Sequence, residues 1–278
     1  MEERKTAWIT GASSGLGLSI ARAFAEAGWL VIAGARSFED APEHQNLVRL
    51  KLDVEDEASC ERFAGLAMRL SPRVDALVAA AAVLVLGSCE RTGVDEYRRV
   101  MDTNFLGAVR MVRRALPAMR RQAQGRIVLM SSVNGLLGIP FQSAYTASKH
   151  ALEGYAECLA METQPFGVQV CLVEPGDHRG GSRRTRLTAC REDEASSYRD
   201  AFDRACAAIR RDEDNGLDPD RLGRKVLANV LRPRMRFRLC VAKPDQRLAT
   251  VLHDVCPARL FFSILNGYYR GGKPNENA

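Results

Sequence analysis

Aromatic residues are scarce in this 278-residue chain, at 6%, and there are only four histidines. The basic residues are mostly arginine without interleaved aromatic pairs, and no nucleic-acid motif appears, so nucleic-acid binding is excluded. The eight cysteines (Cys60, Cys89, Cys158, Cys171, Cys190, Cys206, Cys240 and Cys256) form no CxxC, and no histidine stands at ligand spacing from them. No metal site is expected. No uninterrupted apolar run reaches the ~20 residues of a membrane span. The opening MEERKTAWITG enters a strand pattern directly, so no signal peptide is expected. Several cysteines sit in apolar runs, where they act as small hydrophobes, and a reducing cytoplasm is the expected setting. No internal repeat and no linker divides the chain, which predicts one domain over residues 1–278.

What is present fits a soluble globular protein: 46% hydrophobic and 27% charged residues. That mixture excludes collagen-like, low-complexity and disordered chains, and the length allows a core without disulfides. The net charge of +6 is uneven: residues 1–178 sum to −2 and residues 179–278 to +8. A basic C-terminal third could meet an anionic substrate or a membrane surface, or be a solvated face.

Apolar β-prone runs alternate with helical patterns. Strands are expected at Thr6–Thr10, Leu30–Ala33, Val48–Leu52, Asp75–Ala82, Gly125–Met130 and Val168–Val173. Helices are expected at Leu16–Ala27, Ala58–Arg69, Asp95–Arg121 (with a bend near Pro117) and Tyr145–Thr163. The alternation predicts an α/β fold: a doubly wound parallel sheet with helices on both faces. The strands read as continuous apolar runs, as both-sided burial requires.

Beyond Asp177 the regularity ends. Residues 177–190 read as a loop and 191–212 as an amphipathic helix, together with 213–215 a lid over the substrate. The Gly180-Gly181 pair would be its hinge. Asp218-Pro219 caps a further helix. Arg alternates with apolar residues through Arg232–Arg238, which predicts a strand with one basic face. In the tail, 245–278, Leu260 to Tyr269 has helical apolar spacing.

The first strand runs into Thr10-Gly-Ala-Ser-Ser-Gly-Leu-Gly17. Glycines between a strand and a helix let the backbone approach a pyrophosphate, whose charge meets the free amides of the helix start. The second strand ends at Ala33-Gly-Ala-Arg36. No acid stands at position 35 to repel a phosphate, and Arg36 can fork onto a ribose 2′-phosphate. Asp53-Val54 falls at the sheet's carboxyl edge, where it could bind an adenine amino group or cap a helix. Ser131-Ser132 ends the fifth strand of the main run. Thirteen residues after Ser132 comes Tyr145-Thr-Ala-Ser-Lys149, with Tyr and Lys on one helix face.

This set resembles the short-chain dehydrogenase/reductase family: TGASSGLG at 10–17, Asp53-Val54, Asn104 in DTNFLG, Ser132, YTASK at 145–149 and EPG at 174–176. The stretch from Ser131 to Ala160 is most similar to the 17β-hydroxysteroid and retinol dehydrogenase-like branch. The resemblance implies a single-domain Rossmann fold and an oxidoreductase that interconverts a ketone or aldehyde and an alcohol on a hydrophobic small molecule. The alternative is a non-catalytic dinucleotide sensor of the same fold. By resemblance Tyr145 is the proton donor and Lys149 lowers its pKa and holds the nicotinamide ribose. Ser132 holds the substrate oxygen, and Asn104 holds a relay water. NADP(H) is implied as cofactor, held by Gly11, Ser13, Ser14, Gly15, Leu16, Arg36, Asp53, Val54, Ala80, Tyr145, Lys149, Pro175 and Gly176. A homodimer or homotetramer is implied, pairing through helices around 95–120 and 145–163. The basic C-terminal third, with its aromatic tail, suggests peripheral membrane contact.

Two departures stand out. Ala79-Ala-Ala-Ala82 replaces the family's Asn-Asn-Ala-Gly, which implies either weaker cofactor affinity or a loop that packs differently. Pro175-Gly-Asp-His-Arg-Gly180 lacks the family's threonine, for which Ser182 or Thr185 would substitute. His178 reads as a surface-loop residue within reach of substrate.

Overall fold

Neighbouring residues of the first strand, β1 (Thr6–Thr10), enter different cores: Trp8 packs on one side, Ala7 and Ile9 on the other. The same alternation recurs along β2 (Leu30–Ala35), β4 (Ala76–Ala79), β6 (Gly125–Met130) and β7 (Val168–Pro175). Because both faces are covered, no polar alternation interrupts these strands. The computed structural model describes residues 4–38, 43–180, 186–189 and 196–270.

With β3 (Leu47–Lys51) and β9 (Arg238–Val241), the main sheet has the order β3-β2-β1-β4-β6-β7-β9, and every pairing is parallel. Helices α1 (Gly15–Glu26) and α7 (Pro219–Val230) cover one face, through Ile20, Phe24, Leu222 and Val226. Helices α2 (Glu57–Leu70), α4 (Gly107–Arg121) and α5 (Ser143–Thr163) cover the other, through Phe63, Met111, Met119 and Leu152. Strand order reverses between β1 and β4, which opens a crevice at their carboxyl ends, the usual ligand position in such sheets. The chain therefore has the expected doubly wound Rossmann fold.

Several expectations need correction. The break in the long helical stretch is not at Pro117, which lies inside α4. It is a π-helical turn at Asp102–Leu106, between α3 (Val94–Met101) and α4. The strand expected to reach Ala82 ends at Ala79, and Leu84–Leu86 forms a separate strand, β5. It pairs in parallel with β8 (Arg186–Thr188). The helix expected at 191–212 is α6 (Arg199–Asp214), with 190–195 outside the described residues. Arg232–Arg238 is not a strand; only Arg238 belongs to β9. Side chains capture that backbone instead: Asn229 Oδ1 accepts from Arg236 N at 3.0 Å, and Gln169 Oε1 accepts from Met235 N at 2.6 Å. Pro233 has no N–H to give a ladder. The tail carries two helices, α8 (Pro244–Val255) and α9 (Ala258–Arg270), of which only the second was expected.

Candidate active site

Thr10 closes β1 and the chain turns at Gly11, where φ is +65°. A side chain at Gly11 would lie 2.8 Å from the Ala81 backbone, and one at Gly17 would lie 2.3 Å from the Gly11 carbonyl oxygen. Only glycine permits so tight a passage from strand to helix. Ser14 is the N-cap of α1 but makes no side-chain cap bond, so the first-turn amides are open to an anion. Arg36, exposed just past β2, lines the same cleft and makes no ion pair among the described residues. Asp53 Oδ1 accepts from Glu55 N at 3.1 Å, so it shapes the turn into α2 while lining the cleft. The residues present fit a dinucleotide: open amides at a helix start, a free cation beside them, and a close-packed glycine turn.

The alanine stretch after β4 is anchored by its neighbours. Thr10 Oγ1 accepts from Ala80 N at 3.0 Å and Ala81 N at 3.1 Å. Asn104 then clamps Val83, accepting from its N–H at 2.8 Å and donating to its carbonyl at 3.0 Å. Thr10 and Asn104 thus hold this loop through its backbone.

Ser132 is brought opposite Tyr145 by a short 3₁₀ turn, Val133–Gly135. Asn134 N donates to Ser132 Oγ at 3.2 Å, and Asn134 Nδ2 reaches Gln142 Oε1 at 3.1 Å and Thr146 Oγ1 at 3.2 Å. These bonds tie the serine turn to the start of α5. Lys149 lies one helical turn beyond Tyr145, with Nζ 5.2 Å from the tyrosine ring centroid and donating to Met130 O at 2.6 Å. Burial pushes the Tyr145 phenol up to about 12; a hydrogen bond with Ser132 opposes this, and the carboxylates of Asp177 and Glu213 add to it. Burial lowers the Lys149 ammonium to about 7, against the attraction of Glu153.

These shifts set a pH dependence of stability. An unfolded lysine keeps its proton to pH ~10.4, so between about pH 7 and 10 the folded state binds fewer protons and stability rises with pH. The Tyr145 phenol stays protonated throughout that window. Without added cofactor, the melting temperature is expected to climb from about pH 7 to about pH 8, below the range where unfolded cysteines ionise, and the climb to flatten in Lys149→Met. Equal climbs in both proteins would contradict the burial of Lys149.

All the expected site residues line one cleft except Gly15, which forms the turn, and Asn104, which is buried behind it. Asn104 Nδ2 also reaches Ser148 Oγ at 2.9 Å, and Ser148 Oγ donates to Tyr145 O at 2.7 Å. His178 corrects the expectation of a surface residue. It is 2% exposed, lines the cleft, and bonds through Nδ1 to Gly176 O at 2.9 Å. Ser182, Thr185 and Gly181 lie outside the described residues.

Other members of the site were not foreseen. Glu153, a turn beyond Lys149, accepts from Ser131 Oγ and from Arg238 Nη1, the latter at 2.5 Å. Arg238 also grips Glu174 at 2.6 Å and Glu157 at 3.0 Å, fastening α5 to the sheet edge. The i, i+4 spacing of Tyr145, Lys149, Glu153 and Glu157 was the available signal. The substrate end is walled by Leu84, Leu137, Ile139 and Ile209, and closed by Ile264, Leu265, Tyr268 and Tyr269 of α9. Gln246 of α8 fastens that wall, bonding the Asp177 carboxylate and accepting from Asp177 N at 3.3 Å.

A phosphate-ready turn that leads, along one cleft, to a serine, a tyrosine and a buried lysine defines a class: nicotinamide-dinucleotide oxidoreductases. Sequence comparison makes the assignment specific. The short chain dehydrogenase family profile matches residues 5–188. The chain is 37% identical over 262 residues to a 3-ketodihydrosphingosine reductase of Bacteroides thetaiotaomicron, covering 94% of this chain and 96% of that one. It is 39% identical over 188 residues to the 17-beta-hydroxysteroid dehydrogenase type 1 of Homo sapiens, covering 62% and 56%. A solved short-chain dehydrogenase from Streptomyces avermitilis superimposes with a TM-score of 0.81 at 29% identity, covering 98% of this chain and 100% of that one. The chain belongs to the short-chain dehydrogenase family, and is an oxidoreductase acting at CH–OH groups.

Proposed function

We propose that this protein is an NADP(H)-dependent reductase that turns the carbonyl of a hydrophobic, lipid-like molecule into an alcohol. The carrying observation is the placement of Ser132, Tyr145 and Lys149 at the foot of a cleft whose far walls include Leu84, Leu137, Ile139, Ile209, Ile264 and Leu265 beside the acids of α6. The names of the similar reductase and steroid dehydrogenase support a lipid-like substrate. When bound, the reduced nicotinamide supplies hydride to the carbonyl carbon. Tyr145 gives its phenolic proton to the carbonyl oxygen, which completes the alcohol. Ser132 donates a hydrogen bond to that oxygen as its charge develops. Lys149 sits beside the phenol and replenishes its proton. Asn104, whose amide fixes Val83 and Ser148 behind the cleft, is assigned to hold a water that relays protons to Lys149. Likeness to a protein named as a reductase supports the reductive direction.

The open amides after Gly11 hold the pyrophosphate, and Arg36 takes the 2′-phosphate. The described cysteines are free thiols, which supports work in the cytoplasm. Exposed Leu106, Met161 and Phe166, on and beside α4 and α5, support a homo-oligomer paired through those helices.

A carbonyl panel of long-chain ketones, steroids, retinal, quinones and short aliphatic ketones, followed by NADPH consumption and by the alcohol formed, tests this. The expected result is turnover that rises with alkyl or ring bulk. Cofactor binding with no turnover of any member would move the assignment to the sensor reading.

A further inference from the structure

Helix α8 buries none of its residues. Its exposed Leu248, Val251 and Val255 recur at i, i+3 and i+7, so they share one face. After the Cys256-Pro257 corner, α9 adds exposed Leu260 and Phe262 while turning Phe261, Leu265 and Tyr269 inward. These five outward side chains are between 53% and 71% exposed. The two helices hold each other by the His253–Phe261 ring contact, at 5.1 Å. An apolar strip of this kind marks an interaction surface. Ile264 and Tyr268 are also exposed and line the cleft, so the apolar character continues from the strip to the cleft mouth.

Charge selects the occupant. Exposed Arg247 flanks Leu248 and Val251, and exposed Arg259 flanks Leu260 and Phe262. Asp254, beside His253 at 3.3 Å, is the one acid between them on α8's outer side. Residues 243–270 carry four basic residues, Lys243, Arg247, Arg259 and Arg270, against two acidic ones, Asp245 and Asp254. Among the described residues no helix is long and apolar enough to cross a membrane.

We propose that the outer face of α8 and α9 docks on an anionic lipid surface. Arg247 and Arg259 meet the headgroups, and Leu248, Val251, Val255, Leu260 and Phe262 enter the headgroup–acyl boundary. The cleft mouth then faces the bilayer, and an apolar substrate passes into it without crossing water. This route for substrate rests on the function proposed above; the docking itself does not.

The test is co-sedimentation of the full chain with vesicles of phosphatidylcholine alone, and of phosphatidylcholine with an equal part of phosphatidylglycerol. Binding to the mixed vesicles is expected to exceed binding to the neutral ones and to weaken with added salt. A triple variant, Leu248→Ser, Val251→Ser and Phe262→Ser, is expected to bind the mixed vesicles at least about tenfold more weakly. Its turnover of a short water-soluble ketone is expected to match the unsubstituted protein, since none of the three lines the cleft. No vesicle binding, or equal binding by the variant, would overturn the docking face. So would an oligomer that dissociates in the triple variant, because the face would then belong to a second copy. Vesicle binding in a protein that reduces no ketone would support docking and retire the reductase reading alone.

Discussion

Tyr145→Phe is expected to lower turnover by ~10²–10⁴ while leaving the fold and NADPH binding intact. The substitution keeps the ring, and with it the packing beside Lys149, and removes only the hydroxyl. No other hydroxyl at the foot of the cleft can replace it as acid. Ser132 accepts a hydrogen bond from Asn134 N, and its aliphatic alcohol is a far weaker acid than a phenol. Ser132→Ala is expected to cut turnover with little change in cofactor affinity, since its hydroxyl serves the developing oxyanion. Lys149→Ala is expected to lose both rate and cofactor affinity, because the same side chain adjoins Tyr145 and is the one proposed to hold the nicotinamide ribose. The check is steady-state kinetics paired with fluorescence titration of NADPH on each variant. Near-normal turnover by Tyr145→Phe would refute the assigned chemistry.

Arg36→Ala is expected to erase most of a preference for NADPH over NADH. Among the described residues the guanidinium makes no ion pair, and Ala35 stands where an acid would repel a phosphate. A charge-assisted fork onto the 2′-phosphate is worth ~1.5–3 kcal/mol, roughly ten- to a hundredfold in affinity. NADH affinity is expected to stay the same in the variant, because that molecule has no phosphate for Arg36 to meet. Titrating both reduced cofactors by fluorescence decides it. Equal affinities in the unsubstituted protein, or an undiminished preference in Arg36→Ala, would contradict the assignment.

The sheet was legible because its strands are buried on both faces, and continuous apolar runs such as Ala76–Ala79 betray that directly. The chemistry was legible for a different reason. Tyr145 and Lys149 belong to one helix, so their four-residue spacing fixes their relation before any tertiary contact is known. Partners contributed by distant segments carried no such signal. Thr10 holding Ala80, and Arg238 gripping Glu153 across 85 positions, depend on which strands are neighbours. The β5–β8 pair was invisible because strands of three residues have no measurable period. Arg232–Arg238 misled because alternation can be satisfied by side-chain bonds to the backbone, here from Asn229 and Gln169, as well as by a ladder. His178 misled because its loop is polar in composition yet folds under the α6–α7 corner, where His178 pairs with Leu217.

The central claim is that hydride and proton converge on one carbonyl between the glycine turn and Tyr145. It is tested most directly with NADPH deuterated at the transferred position of the nicotinamide, using the carbonyl compound turned over best. Mass spectrometry of the alcohol is predicted to find one deuterium on the carbinol carbon for each NADPH consumed, and the amount of labelled alcohol formed in a given time to fall by ~10²–10⁴ with Tyr145→Phe. NADPH consumed without label in the alcohol, or labelled alcohol formed by Tyr145→Phe at an undiminished rate, would contradict the account.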